Sequence, residues 1–262
     1  DSIETLSAAV AGQTDSGDFH IAGTGNVTVG TVLLTSNVRA ALPGTPASLS
    51  GILIDDTAGG TPIGDNLTVS ATGAVTINRS LTNHAAGTVR VVANSNIFVN
   101  AAVTSNGGTV VLNSDRDQTT TPGGGIVVTA NVTSNGGNIT LGGGTDPSTN
   151  AAIGTATTLD GVRVDGATLN AGAGDISVRG TSSRDNGVQF ENGGVACTTT
   201  GNIELIGIST ATNNANGVEL EDAATLVTSD QGDITLIGTA STGDGVDITD
   251  ATVSSTGGVV AS

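Results

Sequence analysis

The sequence predicts an all-β protein, a right-handed parallel β-helix (β-solenoid) with three short strands per rung and roughly ten rungs. Three observations carry that expectation. Short strings recur along the chain, apolar and polar residues alternate within each string, and the apolar residues are Val, Ile, Leu and Ala with almost no aromatic volume.

The recurrence is clearest in the pattern G-G-x-[VI]-x-L. It reads GGTVVL at 107–112 and GGNITL at 136–141, and continues as GDISV at 174–178, GNIEL at 201–205, GDITL at 232–236 and GGVVA at 257–261. The Gly before each strand falls at 108, 137, 174, 201, 232 and 258, so the period runs from 26 to 37 residues. A solenoid accepts such variation, because its turns change length while its strands stay in register. A second string reads DGVRVDG (160–166), NGVQFEN (186–192), NGVELED (216–222) and DGVDITD (244–250). A third runs ATLNAG (167–172), VACTTT (195–200), ATLVTS (223–228) and ATVSST (251–256). Each holds a short strand between Gly, Asn, Asp and Ser turns, so one repeat is one triangular rung.

Equivalent strands lie a whole repeat apart, so each pairs in parallel with its copy in the next rung. Side chains alternate inward and outward. In VELED, Val218 and Leu220 point in, while Glu219 and Glu221 point out. The same frame sets Val162 and Val164, Val188 and Phe190, and Val246 and Ile248 in the core. A slip of one residue would bury a carboxylate, so the register is well specified. The twist preference of parallel crossovers makes the winding right-handed. At about 4.8 Å per rung, ten rungs form a rod of roughly 50 Å. Residues 19–262 read as a single solenoid. Residues 1–18 are the least patterned and read as an N-terminal cap or linker, and residues 40–64, with three of the five Pro, read as a loop or β-excursion.

Composition narrows the function classes. The net charge is −17, there is no Lys, and the seven Arg are scattered. Nucleic acid needs clustered cations, so it is not an expected partner. An anionic membrane surface meets the same objection. No apolar run approaches the ~18–20 residues of a transmembrane span. The chain opens DSIETLSAAV, without Met or a basic segment, and reads as a processed or excised piece. Cys197 has no partner for an internal disulfide and, within VACTTT, reads as a small buried apolar residue.

The stretch VTSNGGTVVLNSDRDQTTTPGGGIVVTANVTSNGGNITLGGG (103–144) resembles the repeat of filamentous-haemagglutinin-like bacterial adhesins and related surface β-strand-repeat proteins. The likeness covers most of 64–262. It implies a secreted, elongated right-handed β-helix that acts in adhesion, surface coats or fibres. The Asn-Pro-Asn-type motifs of that family's secretion domain are absent, so the resemblance is to an internal shaft segment or to a cousin exported by another route.

The chemistry-bearing residues are few. His20 and His84 lie far apart in the repeat frame, which argues against a triad or a zinc site. The Gly-rich strings are turns and not phosphate cradles. Five N-x-[ST] strings start at Asn26, Asn66, Asn78, Asn131 and Asn138, a pattern that alternating outward Asn and Thr generate without glycosylation. Stacking puts Arg163, Gln189, Glu219 and Asp247 in one outward column and Asp165, Glu191, Glu221 and Thr249 in the next. Arg163 compensates Asp165 and Glu191. Glu219, Glu221 and Asp247 have no basic neighbour, so they form either a solvated acidic face or candidate Ca²⁺ ligands. The solvated face is the simpler reading, and Glu219→Ala is expected to be neutral, or stabilising in low salt without Ca²⁺. No cofactor is required, and Ca²⁺ is the one cation that this arrangement invites. Asn138, Asp175, Asn202 and Asp233 follow the turn Gly in successive repeats and form a stacking ladder. The string SDRDQTTTPGGG (114–125) resembles a calcium loop only at Asp115 and Asp117, lacking the Gly and distal Glu of an EF-hand.

No catalytic residue is assigned. The favoured function is an extracellular structural or adhesive module that associates end to end or continues into a longer chain, with a cell-surface or glycan ligand as a further partner. A polysaccharide lyase or hydrolase would need a carboxylate-lined groove, and such enzymes present aromatic platforms that three Phe and no Tyr or Trp do not supply. An ice-binding solenoid would need Thr ranks in one phase, which these Thr do not keep.

Overall fold

The computed structural model describes residues 2–5, 9–14, 17–33, 48–55, 64–118 and 123–262. Among them every regular element is a strand. Three sheets of stacked strands run the length of the molecule, and every pairing within them is parallel. Sheet I stacks ten strands, from Ser2–Thr5 to Gly258–Ala261, and sheets II and III stack nine each. The chain visits I, II and III in turn, as in Ile203–Ser209, Val218–Glu221 and Leu226–Ser229. This is a three-strand-per-rung parallel β-helix of nine rungs with a tenth begun.

Alternation fixes the register. In Val218–Glu221 the two apolar residues are buried and the two carboxylates half-exposed. Val162, Val188 and Val218 stack as Cα partners, as do Val164, Phe190 and Leu220, and all six are fully buried. Ile203 and Ile234 are likewise buried in sheet I. Inside the corner between sheets III and I runs a polar column. Ser105 and Asn83 donate to the Gly87 carbonyl at 3.3 and 3.2 Å, and Thr198 and Ser229 donate to that of Gly201 at 2.6 and 3.0 Å. These bonds satisfy polar atoms that the core would otherwise orphan.

The repeated Gly has a steric cause. A Cβ on Gly108, Gly174 or Gly201 would lie 1.9, 2.1 or 1.9 Å from the carbonyl oxygen of Gly87, Gly137 or Gly174 in the rung below. At the next-but-one corner, Gly166, Asn192, Asp222 and Asp250 have φ of 62°, 53°, 72° and 62°. That left-handed turn explains why only Gly, Asn and Asp occupy it.

Several expectations need correction. The stack begins before residue 19, because Ser2–Thr5, Ala9–Val10 and Gly12–Thr14 form a first rung under Phe19–Gly23, Val27–Val29 and Ile52–Ile54. Strands of two to four residues show too few alternations to be legible. Residues 1, 6–8 and 15–16 of the expected cap lie outside the described residues. The excursion starts earlier than expected, with Thr31–Leu33 paired antiparallel to Ser48–Ser50. Ile52–Ile54, assigned above to that excursion, is a stacked strand of sheet III. Residues 40–47 and 56–63 lie outside the described residues.

Gly257, not Gly258, sits over Gly232, since Gly258 is the Cα partner of Asp233. Ile248 is 42 % exposed and Val246 only partly buried, although both keep the inward phase over Leu220 and Val218. They lie in the last strand of sheet II, with no further strand stacked above them to cover their upper side. Cys197 faces outward and is half-buried, because Ala196 takes the inward place between Leu169 and Val227. Burial, and then Asp230, push its thiol above the usual range, so it is not an activated thiolate.

One insertion interrupts sheet I. After Ile139–Gly143 the chain leaves the sheet and returns at Ala152–Ile153, which pairs with Gly180 and Thr181. The loop folds back on the outer face, where Gly143 donates to the Asn150 carbonyl at 2.9 Å. Ser148 holds the Asp146 carboxyl below the usual range, and Arg90, two rungs away, adds to this.

Candidate functional site

The densest cluster of ionisable groups is the outer face of sheet II. Strands Val162–Asp165, Val188–Glu191, Val218–Glu221 and Val246–Thr249 stack in register there. Arg163, Gln189, Glu219 and Asp247 form one column, with Asp165, Glu191, Glu221 and Thr249 beside it. Arg163 pairs with Glu191 at 3.2 Å and with Asp165 at 3.8 Å. Burial pushes the Glu191 carboxyl above the usual range, against the pull of Arg163.

Glu219 lacks a cation but not partners. Its Oε2 accepts from Asn186 Nδ2 at 2.7 Å and Gln189 Nε2 at 2.9 Å, and its Oε1 accepts from Asn216 Nδ2 at 2.9 Å. Gln189 also reaches Glu221 at 3.2 Å, and Asn216 reaches Asp247 at 3.3 Å. Burial, then Glu221, raise the Glu219 carboxyl, while the amides oppose them. The face is therefore an amide-clamped carboxylate network. Among the described residues no group of three or more His, Cys, Asp or Glu is arranged to hold a metal ion.

Asn186 and Asn216 were not singled out by the sequence, where they look like the first residue of an N-G turn. They belong to a second ladder. Asp160 Oδ1 accepts the backbone N–H of Asn186 at 3.0 Å, Asn186 Oδ1 that of Asn216 at 2.7 Å, and Asn216 Oδ1 that of Asp244 at 2.8 Å. Each Asn thus uses its oxygen to hold the next rung and its nitrogen to hold Glu219. Their recurrence as DGV, NGV, NGV and DGV was a usable signal. Removing the shared acceptor leaves Asn186 Nδ2 without its acceptor and leaves Gln189 and Asn216 only their longer bonds to Glu221 and Asp247. Glu219→Ala is therefore expected to cost about 1–3 kcal/mol in urea unfolding, rather than nothing, with Glu219→Gln recovering part of it.

The stacking ladder has the same chemistry. Asn138 Oδ1 accepts the N–H of Asp175 at 2.9 Å, Asp175 Oδ1 that of Asn202 at 2.8 Å, and Asn202 Oδ1 that of Asp233 at 2.8 Å. All five Asn of the N-x-[ST] strings likewise accept from a neighbouring rung: Asn26 from Ala74, Asn66 from Thr88, Asn78 from Asn100, Asn131 from Thr168, and Asn138 as above. His84 pairs with Asp55 at 3.2 Å, whereas His20 lies exposed on sheet I. An open groove of about 380 Å³ runs beside the ladder, lined in part by Asp175, Asn202, Glu204 and Asp233. Arg179 engages Glu204 there at 2.5 Å. Among the described residues no helix is long and apolar enough to cross a membrane.

Asp160 sets a pH dependence. Its side chain is buried, and that burial, followed by Asp185, pushes its carboxyl from 3.8 to about 7. A raised carboxyl binds its proton more tightly in the folded state, so the stabilisation is complete below about pH 4 and is lost as the pH rises through about 7. The thermal midpoint is expected to fall between pH 5 and pH 8, following roughly 1.4 kcal/mol per pH unit for one proton. Asp160→Asn keeps the oxygen that Asn186 needs. It should raise the midpoint at pH 8 and flatten the profile, and an unchanged slope would refute the assignment.

Compared with family models, with curated proteins and with solved structures, the chain finds no match in any of the three.

Proposed function

We propose that this chain is an extracellular structural or adhesive β-solenoid, a segment or protomer of a cell-surface fibre. The observation that supports it best is what the polar side chains do. The carboxylates and amides of two columns accept backbone N–H groups of the next rung, and those of sheet II clamp one another. Side chains committed to holding a stack serve shape rather than turnover. The acidic, Lys-free surface and the resemblance to adhesin shafts agree with that reading. Ile248, Val259 and Val260 are 42 %, 45 % and 61 % exposed at one end of the stack, an apolar surface suited to a further coil. That coil is supplied by a second copy or by further chain.

Negative-stain images of the purified protein, with sedimentation across a concentration series, test this proposal. Rods that lengthen with concentration are expected, and Val260→Lys should shorten them. Particles of one fixed length at every concentration would refute end-to-end association. The groove beside Asp175, Glu204 and Asp233 favours a second reading, contact with a glycan. Glycan-array binding with the Glu204→Ala variant as control separates binding from an activity on acidic polysaccharides.

A further inference from the structure

Beneath the 144–151 loop, buried polar atoms of sheet I lack partners. Asn113 is fully buried, and neither its Oδ1 nor its Nδ2 makes a hydrogen bond. Asp115 is 1 % exposed and its Oδ1 is likewise unpartnered. The Oδ1 of Asn94 is a third such oxygen.

The register brings the three to one corner. Asn113 is the Cα partner of Val92 on one side and of Gly142 on the other. Two residues further along, Asn94 and Asp115 follow in successive rungs. Arg116 donates to the Ala93 carbonyl at 3.0 Å, a place that regular pairing gives to the residue after Ser114. Asp115 is therefore an extra, bulged residue with φ of 46°. Bulges re-aim side chains. Outward Val92 and Val111 are also buried here, at 3 % and 9 % exposure, so water does not reach this face freely.

A buried carboxylate and two carboxamide oxygens without donors are a costly arrangement, and native folds keep one where something fills it. Of these unpartnered atoms three are acceptors and one, Asn113 Nδ2, is a donor. A single water donates only two hydrogens, whereas a hard cation takes all three oxygens. We propose that Asp115, Asn113 and Asn94 form a Ca²⁺ site, with Asn113 Nδ2 facing a water on the cation. Ca²⁺ accepts irregular sets of carboxylate, carboxamide and carbonyl oxygens. Burial, and then Asp117, push the Asp115 carboxyl up to about 6. The site is separate from the acidic face of sheet II, where Glu219, Glu221 and Asp247 each accept from an amide. A single buried carboxylate implies weak binding, in the ~10⁻⁴–10⁻³ M range of extracellular modules.

Calorimetric titration of chelator-treated protein with CaCl₂ tests the proposal. One Ca²⁺ per chain is expected, with a thermal midpoint that rises with CaCl₂ concentration. Asp115→Asn should weaken binding at least tenfold and remove the rise, while its far-UV spectrum stays β-sheet. Glu219→Gln should leave both unchanged. Absence of saturable binding, binding that survives Asp115→Asn, or binding lost in Glu219→Gln would overturn it.

Discussion

Gly207→Ala is expected to open the stack at rungs seven to nine. A Cβ at this position would lie 1.8 Å from the Gly217 carbonyl oxygen and 2.5 Å from its carbon. Both of these atoms belong to the backbone entering the next sheet, which cannot swing aside as the end of a flexible side chain would. Gly180 and Gly238 meet Gly187 and Gly245 in the same way, at 2.0 and 1.5 Å. Relief at one rung therefore strains its neighbours. Overpacking usually costs ~1–3 kcal/mol, and a backbone clash belongs at or above the top of that range. Gly30→Ala is the control, since its Cβ would come no closer than 3.5 Å to that of Ala9. It should be neutral or slightly stabilising through the unfolded chain. Rungs contact only their neighbours, so the loss should show as an early partial transition and faster amide exchange around 203–221. Equal urea midpoints for the two variants would show that the corner is looser than this geometry.

Leu220→Asp and Ile248→Asp should differ by several kcal/mol, although the two residues are Cα partners in one column. Leu220 is fully buried between Phe190 and Ile248, so the carboxylate would have neither water nor a cation beside it. An uncompensated buried charge costs about 3–5 kcal/mol. Ile248 is 42 % exposed, and a carboxylate there can reach solvent. Its substitution should stay within about 1 kcal/mol. Leu220→Asp should also become less damaging as the pH falls and the new carboxyl is protonated. Equal melting of the two variants would mean that the inward frame of sheet II is misassigned.

Most of the fold was legible because side-chain period and repeat period agree. Val162, Val188 and Val218 could be placed in one column from three strings, since each string alternates cleanly and starts from the same turn. What stayed hidden depends on neighbours the pattern does not name. Ile248 has the phase of a core residue, and only the position of its strand in the stack exposes it. Cys197 sits in an apolar string, yet Ala196 is the residue in phase with Leu169 and Val227. The strands before residue 19 are too short to show a period. The amide clamp was hidden for a different reason. Asn186 and Asn216 carry turn chemistry, and that explanation fits them so well that only their recurrence before G-V hinted at a second role, as donors to Glu219. Asn113 looks outward by alternation and is buried by a loop that departs from the strand thirty residues later.

Both ladders share one polarity. Asn138, Asp175 and Asn202 in one, and Asp160, Asn186 and Asn216 in the other, each offer an oxygen to a backbone N–H nearer the C-terminus. A finished coil is thus a template for the segment that follows it and offers these acceptors only in that direction. Growth from the first coil onward has ready-made docking points at each step, whereas growth backward must order acceptor and donor together. The order in which the polypeptide is synthesised is then the order in which it can most readily wind.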